Sequence, residues 1–241
     1  MGCSCHPTNE IKEDEDKVTV GDDIYYKVKD FSPKKGGFGE VLKLEKDESF
    51  YALKKIKIEE QKEKKMEEKR KNKFKEQEEN KIEEEKNGNL SICENEVKIM
   101  ERFDNEYIIK LIASHKGKDY FRILMEYGGD DNLEEYIENK SGLMDEKEIA
   151  EIILQICHGL EEIHKHKIVH RDLTPQNIFK NNNNIKIGDF GVSTNLYPNK
   201  YLTEKIGKSE YMPPEMKEGK YNNKVDIYNL GCIIYELFTL N

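Results

Sequence analysis

The sequence predicts an α+β chain, on three observations. Residues 25–28 and 41–44 are short apolar-rich runs on either side of a Gly-rich stretch, which reads as two strands and their connection. Residues 50–56 (Phe-Tyr-Ala-Leu-Lys-Lys-Ile) follow as a further strand. Farther on, Ile149, Ile152, Ile153, Ile156, Leu160 and Ile163 recur at helical spacing and mark a long helix with one core face.

Bulk properties narrow the classes. The chain has 241 residues, 36% hydrophobic and 37% charged, which allows one or two globular domains plus a very polar segment. A net charge of -9 argues against a nucleic-acid-binding surface as the main function. The longest apolar run, residues 230–240, is broken by Glu236 and falls short of the roughly 18 residues of a membrane span, so it reads as a buried helix. Five cysteines without regular spacing suit a reducing compartment, not a disulfide framework. Cys93, Cys157 and Cys232 read as inert packing residues.

Residues 1–22 are expected to form a disordered tail, with residues 10–17 a charged spacer lacking core-forming content. The tail opens Met-Gly-Cys-Ser-Cys-His. Myristate on Gly2 and palmitate on Cys3 and Cys5 would hold it stably at a membrane surface, because two acyl chains do what one does only weakly. The motif is incomplete, since His6 stands where Ser or Thr belongs. An unmodified cytoplasmic tail is the equal alternative, with a zinc site from Cys3, Cys5 and His6 behind both. Residues 59–86 hold eleven Glu and ten Lys or Arg. Their larger apolar residues, Met66, Phe74 and Ile82, recur every eighth position, too sparsely to bury a core. Pairs such as Glu60/Lys64 support a solvated helix of roughly 40 Å, or a disordered arm, ended by Asn87-Gly88-Asn89. A solvated spacer is the plain reading of this insert (59–89); a docking partner is the other. Ser91 to Glu94 has capping-box spacing for the helix that follows.

The chemistry-bearing residues sit later. Residues 170–177 read His-Arg-Asp-Leu-Thr-Pro-Gln-Asn, and residues 185–191 read Ile-Lys-Ile-Gly-Asp-Phe-Gly. Together they resemble the catalytic loop and the D-F-G motif of eukaryotic protein kinases. Residues 34–41, Lys-Lys-Gly-Gly-Phe-Gly-Glu-Val, resemble the family's Gly-rich loop, with Gly36, Gly39 and Val41 on its last two glycines and its valine. Lys34 replaces the first glycine. Residues 95–100 and 107–111 resemble the family's helix C and fourth strand, and residues 121–128 the fifth strand and hinge. Residues 192–215, ending Pro-Pro-Glu, resemble the activation segment, and residues 221–231 the start of helix F. Within the kinases the likeness is to the NIMA-related group.

The resemblance implies a bilobal kinase fold: a small β-rich N-lobe (23–127) carrying the insert, and a larger, mainly helical, partial C-lobe (128–241). It implies transfer of a phosphoryl group from ATP, with Mg2+, to Ser or Thr hydroxyls of a protein substrate. Such chemistry asks for positioning and charge neutralisation more than covalent work. Asp172 is then the base and positioner, and Asn177 and Asp189 the magnesium ligands. Lys54 takes the α- and β-phosphates and is fixed by Glu96. Lys55 falls on the opposite strand face by alternation. The ATP site would draw on Gly36, Gly37, Phe38, Gly39, Val41, Ala52, Met125 as gatekeeper, Glu126, Gly128 and Phe179, with Asp131 at the ribose edge. His170 would pack under Phe190, in one apolar stack with Met100 and Leu111. Asp226 would hold the catalytic-loop backbone, and Cys232, Ile233, Leu237 and Phe238 would be buried. His158, His164 and His166 read as ordinary surface or satisfied histidines. Arg171 carries a buried positive charge that a phosphate on the segment would answer, and Thr203 is the best-placed hydroxyl.

Two departures stand together. The family usually has Lys at the position of Thr174 and Thr at the position of Lys208. One reading has the Lys208 ammonium reaching back to Asp172, restoring a catalytic cation; the other has two independent losses. The resemblance runs from about Ile24 to the end, and the C-lobe lacks its last helices, so one face of helix F is expected to be bare. A nucleotide-binding pseudokinase or scaffold, or an inactive fragment of a kinase, is the alternative to an active enzyme.

Overall fold

The computed structural model describes residues 10–36, 39–58, 90–197, 201–204 and 206–239. They fall into two compact units: residues up to Val97 with Leu111–Tyr127, and Lys98–Lys110 with Gly128 onward. One division between them falls between Tyr127 and Gly128. Residues 98–110, expected with the N-lobe, instead join the second unit, because the Ile109 N–H donates to Ile187 O (2.9 Å) and the Ile187 N–H to Tyr107 O (2.8 Å).

The first unit is an antiparallel sheet. Its strands are β1 (Ile11–Glu13), β2 (Lys17–Val20), β3 (Asp23–Lys27), β4 (Lys34–Gly36), β5 (Gly39–Lys46), β6 (Ser49–Lys57), β7 (Leu111–Lys116) and β8 (Tyr120–Glu126). They lie in the order β1-β2-β3-β5-β6-β8-β7, with β4 hairpinned on β5. Between β6 and β7 comes a helix over residues 90–100, here α1, which passes from one unit to the other at Val97. Since α1 already includes Leu90, Ser91 lies inside it and is not its N-cap. The fourth strand begins at Leu111, not at residue 107.

The ordered sheet starts earlier than the sequence suggested. The disordered tail expected through residue 22 holds β1 and β2, whose Ile11, Val18 and Val20 join Tyr25, Leu44, Leu53, Ala113 and Leu124 in one core. The short segment 10–17 looks too charged to fold, but its one large apolar residue, Ile11, points inward by strand alternation. Glu13 completes the hairpin's attachment. Its carboxylate accepts from Lys27 (3.0 Å) and Lys55 (2.9 Å), and Arg122 lies at 3.4 Å. Lys55, on the strand face opposite Lys54, is therefore half-buried in this cluster, its side chain 15% exposed. The β5–β6 turn has positive φ at both Asp47 and Glu48, which matches the twist of a tight hairpin.

The second unit is mainly helical. It contains α2 (Leu133–Glu138), α3 (Glu146–Lys165), α4 (Pro214–Glu218) and α5 (Lys224–Thr239). Short strands β9 (Asp131–Asn132), β11 (Ile178–Asn181) and β12 (Asn184–Ile187) form one small sheet, and β10 (Ile168–Val169) pairs with β13 (Thr194–Asn195). Asn132 and Glu135 close a reciprocal capping box on α2. The periodic isoleucines of α3 are its buried stripe, joined by Gly159 and Leu160, while Ile153 is half-buried and Cys157 is exposed. On α5 the buried face is Val225, Asp226, Asn229, Leu230, Ile233 and Leu237. Phe238, expected inside, is 51% exposed because it lies one residue, roughly 100°, beyond Leu237 on the helix. Cys232 is half-buried, and Ile227, Tyr228 and Tyr235 are exposed. Among the described residues no helix is long and apolar enough to cross a membrane. The tail residues 1–9, the charged insert 59–89, and Gly37 and Phe38 lie outside the described residues.

Glu13 supplies a prediction for this fold. Burial raises its carboxyl, but hydrogen bonds from Lys55 and Lys27 outweigh that and hold it below the usual carboxylate range. A depressed folded-state value means stabilisation that is present above the unfolded value and lost as pH falls through the folded one. Glu13→Gln should cost about 1–3 kcal/mol at neutral pH. Denaturant titrations should show the gap to the native chain closing as pH drops below the ordinary Glu range.

Candidate active site

In the first unit, β6 carries Lys54 and α1 carries Glu96. The Lys54 ammonium contacts both Glu96 oxygens, at 2.8 and 3.0 Å. Both side chains are nearly buried, at 12% and 3% exposure. A buried ion pair survives only when its geometry is good, and this one is bidentate. Cys93, one helical turn before Glu96, is buried beside it. Burial, with the Glu96 charge nearby, pushes its thiol up to about 11. On the same sheet, Val41 sits across from Lys54, and Ala52 from Met125. Gly39 has φ +141°, and a Cβ there would lie 2.1 Å from Lys55 O, so only glycine lets β5 start so close to β6. Lys34 and Gly36 pair with Val41 and Gly39 through their backbones.

In the second unit, a buried carboxylate organises the loop 170–177. Asp226 on α5 is fully buried. Its Oδ2 accepts the His170 N–H (3.0 Å) and its Oδ1 the Arg171 N–H (2.9 Å). His164 Nε2 lies 2.8 Å from Oδ2. So His164 is satisfied, as read, but its place under the loop was missed; periodicity could not reveal a partner 62 residues away. The Phe190 ring lies 5.1 Å from the His170 ring and 5.4 Å from the Phe103 ring, tilted against both. His170 Nε2 is 3.1 Å from Gly188 O.

This scaffold orients Asp172. Asn177 Nδ2 donates to both Asp172 O (2.8 Å) and Asp172 Oδ2 (3.0 Å), while the Lys208 backbone N–H donates to Oδ1 (3.2 Å). With its amide nitrogen so engaged, Asn177 has its amide oxygen as the remaining donor for a cation. The β11–β12 hairpin explains why Asn177 and Asp189 are neighbours. Its register pairs Ile178 with Ile187, so the residues just outside both ends come together, and the Gly188 N–H donates to Asn177 O at 2.9 Å. Asp189 holds φ +58° and its Oδ1 accepts from the Gly191 N–H at 3.4 Å. An amide oxygen and a carboxylate are the hard oxygen donors magnesium prefers, and two protein ligands suffice when phosphates and water complete the shell. Phe179 on β11 packs so closely on Gly128 that a Cβ there would come within 2.5 Å of its own Cβ.

The Lys208 ammonium does not reach Asp172. It lies 4.0 Å from Glu134 Oε1, and its charge also bears on Glu236, so the carboxylates on α2 and α5 draw it away from the loop. It is the main chain of Lys208 that contacts Asp172. Thr174 is fully buried, and its hydroxyl has no hydrogen-bond partner. The idea that the two residue types were exchanged with function kept is therefore corrected: neither side chain puts a cation on Asp172. Arg171 is 7% exposed, and its Nη1 donates to Glu204 Oε2 at 2.6 Å. The neighbouring Thr203 is exposed.

The chain is similar to known proteins. A protein kinase domain model matches residues 35–241. The human serine/threonine-protein kinase Nek11 is 37% identical over 162 residues, 64% of this chain and 25% of that protein. The mouse serine/threonine-protein kinase Nek3 is 36% identical, over 60% of this chain and 29% of its own length. A probable serine/threonine-protein kinase nek2 of Dictyostelium discoideum is 38% identical, over 61% and 38%. The chain thus spans about a quarter to two fifths of these relatives.

Two outcomes follow from the geometry. At pH 8 the thiolate fraction of Cys93 is on the order of 0.1%, so a maleimide should leave it unlabelled in the folded chain and label it after denaturation; mass mapping reads this. At Gly207, φ is +101°, and a Cβ would stand 2.7 Å from Arg171 O and 3.3 Å from Asp172 Oδ1. Gly207→Ala should cost about 1–3 kcal/mol and speed amide exchange at His170 and Arg171.

Proposed function

Because the chain belongs to the protein kinase domain family, we propose that it transfers the γ-phosphoryl group of ATP to Ser or Thr hydroxyls of protein substrates. The observation that carries this reading is Asp172, held between the Asn177 amide and the Lys208 backbone N–H and backed by the buried Asp226. So held, one carboxylate can accept the substrate hydroxyl's proton and aim its oxygen for in-line attack. Lys54, steadied by Glu96, neutralises phosphate charge. Asn177 and Asp189 are the residues that would hold magnesium, which supplies charge neutralisation on the phosphates when bound. The Gly-rich loop, with Ala52, Met125, Glu126, Gly128 and Phe179, is proposed to line the nucleotide.

A second reading, a nucleotide-binding scaffold, draws on the uncharged, buried Thr174 and the turned-away Lys208 ammonium. Phosphotransfer to a mixed protein substrate, with ATP binding measured alongside, separates the two. Asp172→Asn should lower transfer by at least roughly 100-fold and leave the ATP dissociation constant within about twofold. ATP binding by the native chain with no transfer would favour the scaffold. The sequence Met-Gly-Cys-Ser-Cys-His is proposed as an acylation site that brings a cytoplasmic protein to a membrane surface; the mass of the native N-terminal peptide decides it. The insert 59–89 is proposed as a solvated spacer.

A further inference from the structure

The Arg171 guanidinium joins two distant parts of the segment that follows Asp189. Its Nε donates to Val192 O (2.6 Å) near the start, and its Nη1 to Glu204 Oε2 (2.6 Å) near the middle. Arg171 itself is buried and fixed by its backbone N–H to Asp226. Around Glu204 the chain is tied again on both sides. Leu202 and Tyr221 exchange backbone hydrogen bonds (2.9 and 3.1 Å), the Tyr221 hydroxyl donates to Glu204 O (2.6 Å), and the Lys208 N–H reaches Asp172. Glu204 thus supplies the anionic side chain in a run of otherwise backbone and hydroxyl contacts that ends on the Asp172 carboxylate.

A buried guanidinium next to a hydroxyl-bearing segment is where added phosphate would order the chain, since phosphate brings charge and strong acceptors. Here a carboxylate already occupies that guanidinium, in a short charge-assisted hydrogen bond. We propose that Glu204 is a positioning residue for phosphoryl transfer: acting through Arg171, it holds the segment and the Asp172 loop in working order without any phosphate on the segment. The inference rests on the phosphotransfer reading above. It deepens that reading by assigning the segment's ordering charge to a residue encoded in the chain, so that Thr203 need not carry a phosphate for activity.

The test uses the whole chain, treated with phosphatase and shown by mass to carry no phosphate, as the native form and as Glu204→Gln and Glu204→Asp. Two quantities are read: kcat with KM for ATP, and hydrogen–deuterium exchange at Leu202, Ser193 and Tyr221. The phosphate-free native chain should be active. Glu204→Gln should lower kcat by roughly 10- to 100-fold, as displacement remote from the reacting atoms does, with KM for ATP nearly unchanged and faster exchange at those amides. Glu204→Asp should recover part of both. The proposal is overturned if Glu204→Gln matches the native chain in kcat and exchange, or if phosphatase treatment alone lowers the native chain to the level of that variant. A native chain that binds ATP but transfers nothing sinks the phosphotransfer reading instead. The exchange data then decide the clamp alone: unchanged protection in Glu204→Gln removes it.

Discussion

A carboxylate with no solvent exposure, Asp226, is the constraint on which the second unit's chemistry depends. A polar group so placed is tolerable only if its lone pairs are taken, and the His170 and Arg171 N–H groups and the His164 ring take them. Satisfying Asp226 fixes the backbone at the start of the loop, including the left-handed conformation of Arg171 at φ +69°. Everything downstream inherits that fix. Asp172 follows directly, and the Arg171 side chain is aimed at the segment after Asp189. The stabilising and the functional demands are met by the same hydrogen bonds.

The segments around this loop are placed by backbone contacts more than by side-chain packing. The β11–β12 register brings residues 177 and 188 together, and the Lys208 N–H, available because Gly207 takes a positive φ, closes on Asp172. Side chains at the same positions are freer to vary. Lys208 shows this: its main chain contacts Asp172, and its ammonium goes where carboxylates draw it. Tyr211, nearby, donates to Glu236 at 2.5 Å, and burial raises both groups, so this patch holds its polar contacts half out of water.

The first unit obeys a different economy. Its sheet is built by alternation, with Leu44, Leu53 and Leu124 inside. Its polar network centres on Glu13, with Lys27, Lys55 and Arg122 drawn from three different strands. That network attaches an N-terminal hairpin to strand β6, which also bears Lys54. The adjacent lysines of β6 end in separate networks because alternation sends them to opposite faces, Lys54 to Glu96 and Lys55 to Glu13.

From the sequence by itself came the strands around the Gly-rich stretch and the α3 stripe, since periodicity is a local property that survives without coordinates, while the motif residues and the pairing of Lys54 with Glu96 came from the resemblance to the kinase family. The tertiary structure alone decided what depends on partners far apart in the chain. It turned the charged residues 10–17 into part of a sheet, because Ile11 and Glu13 meet partners contributed by later strands. It gave His164 to Asp226 and Glu204 to Arg171, and it sent the Lys208 ammonium to Glu134. Charge partners are chosen by distance in space and by burial, and neither quantity is written in a linear pattern.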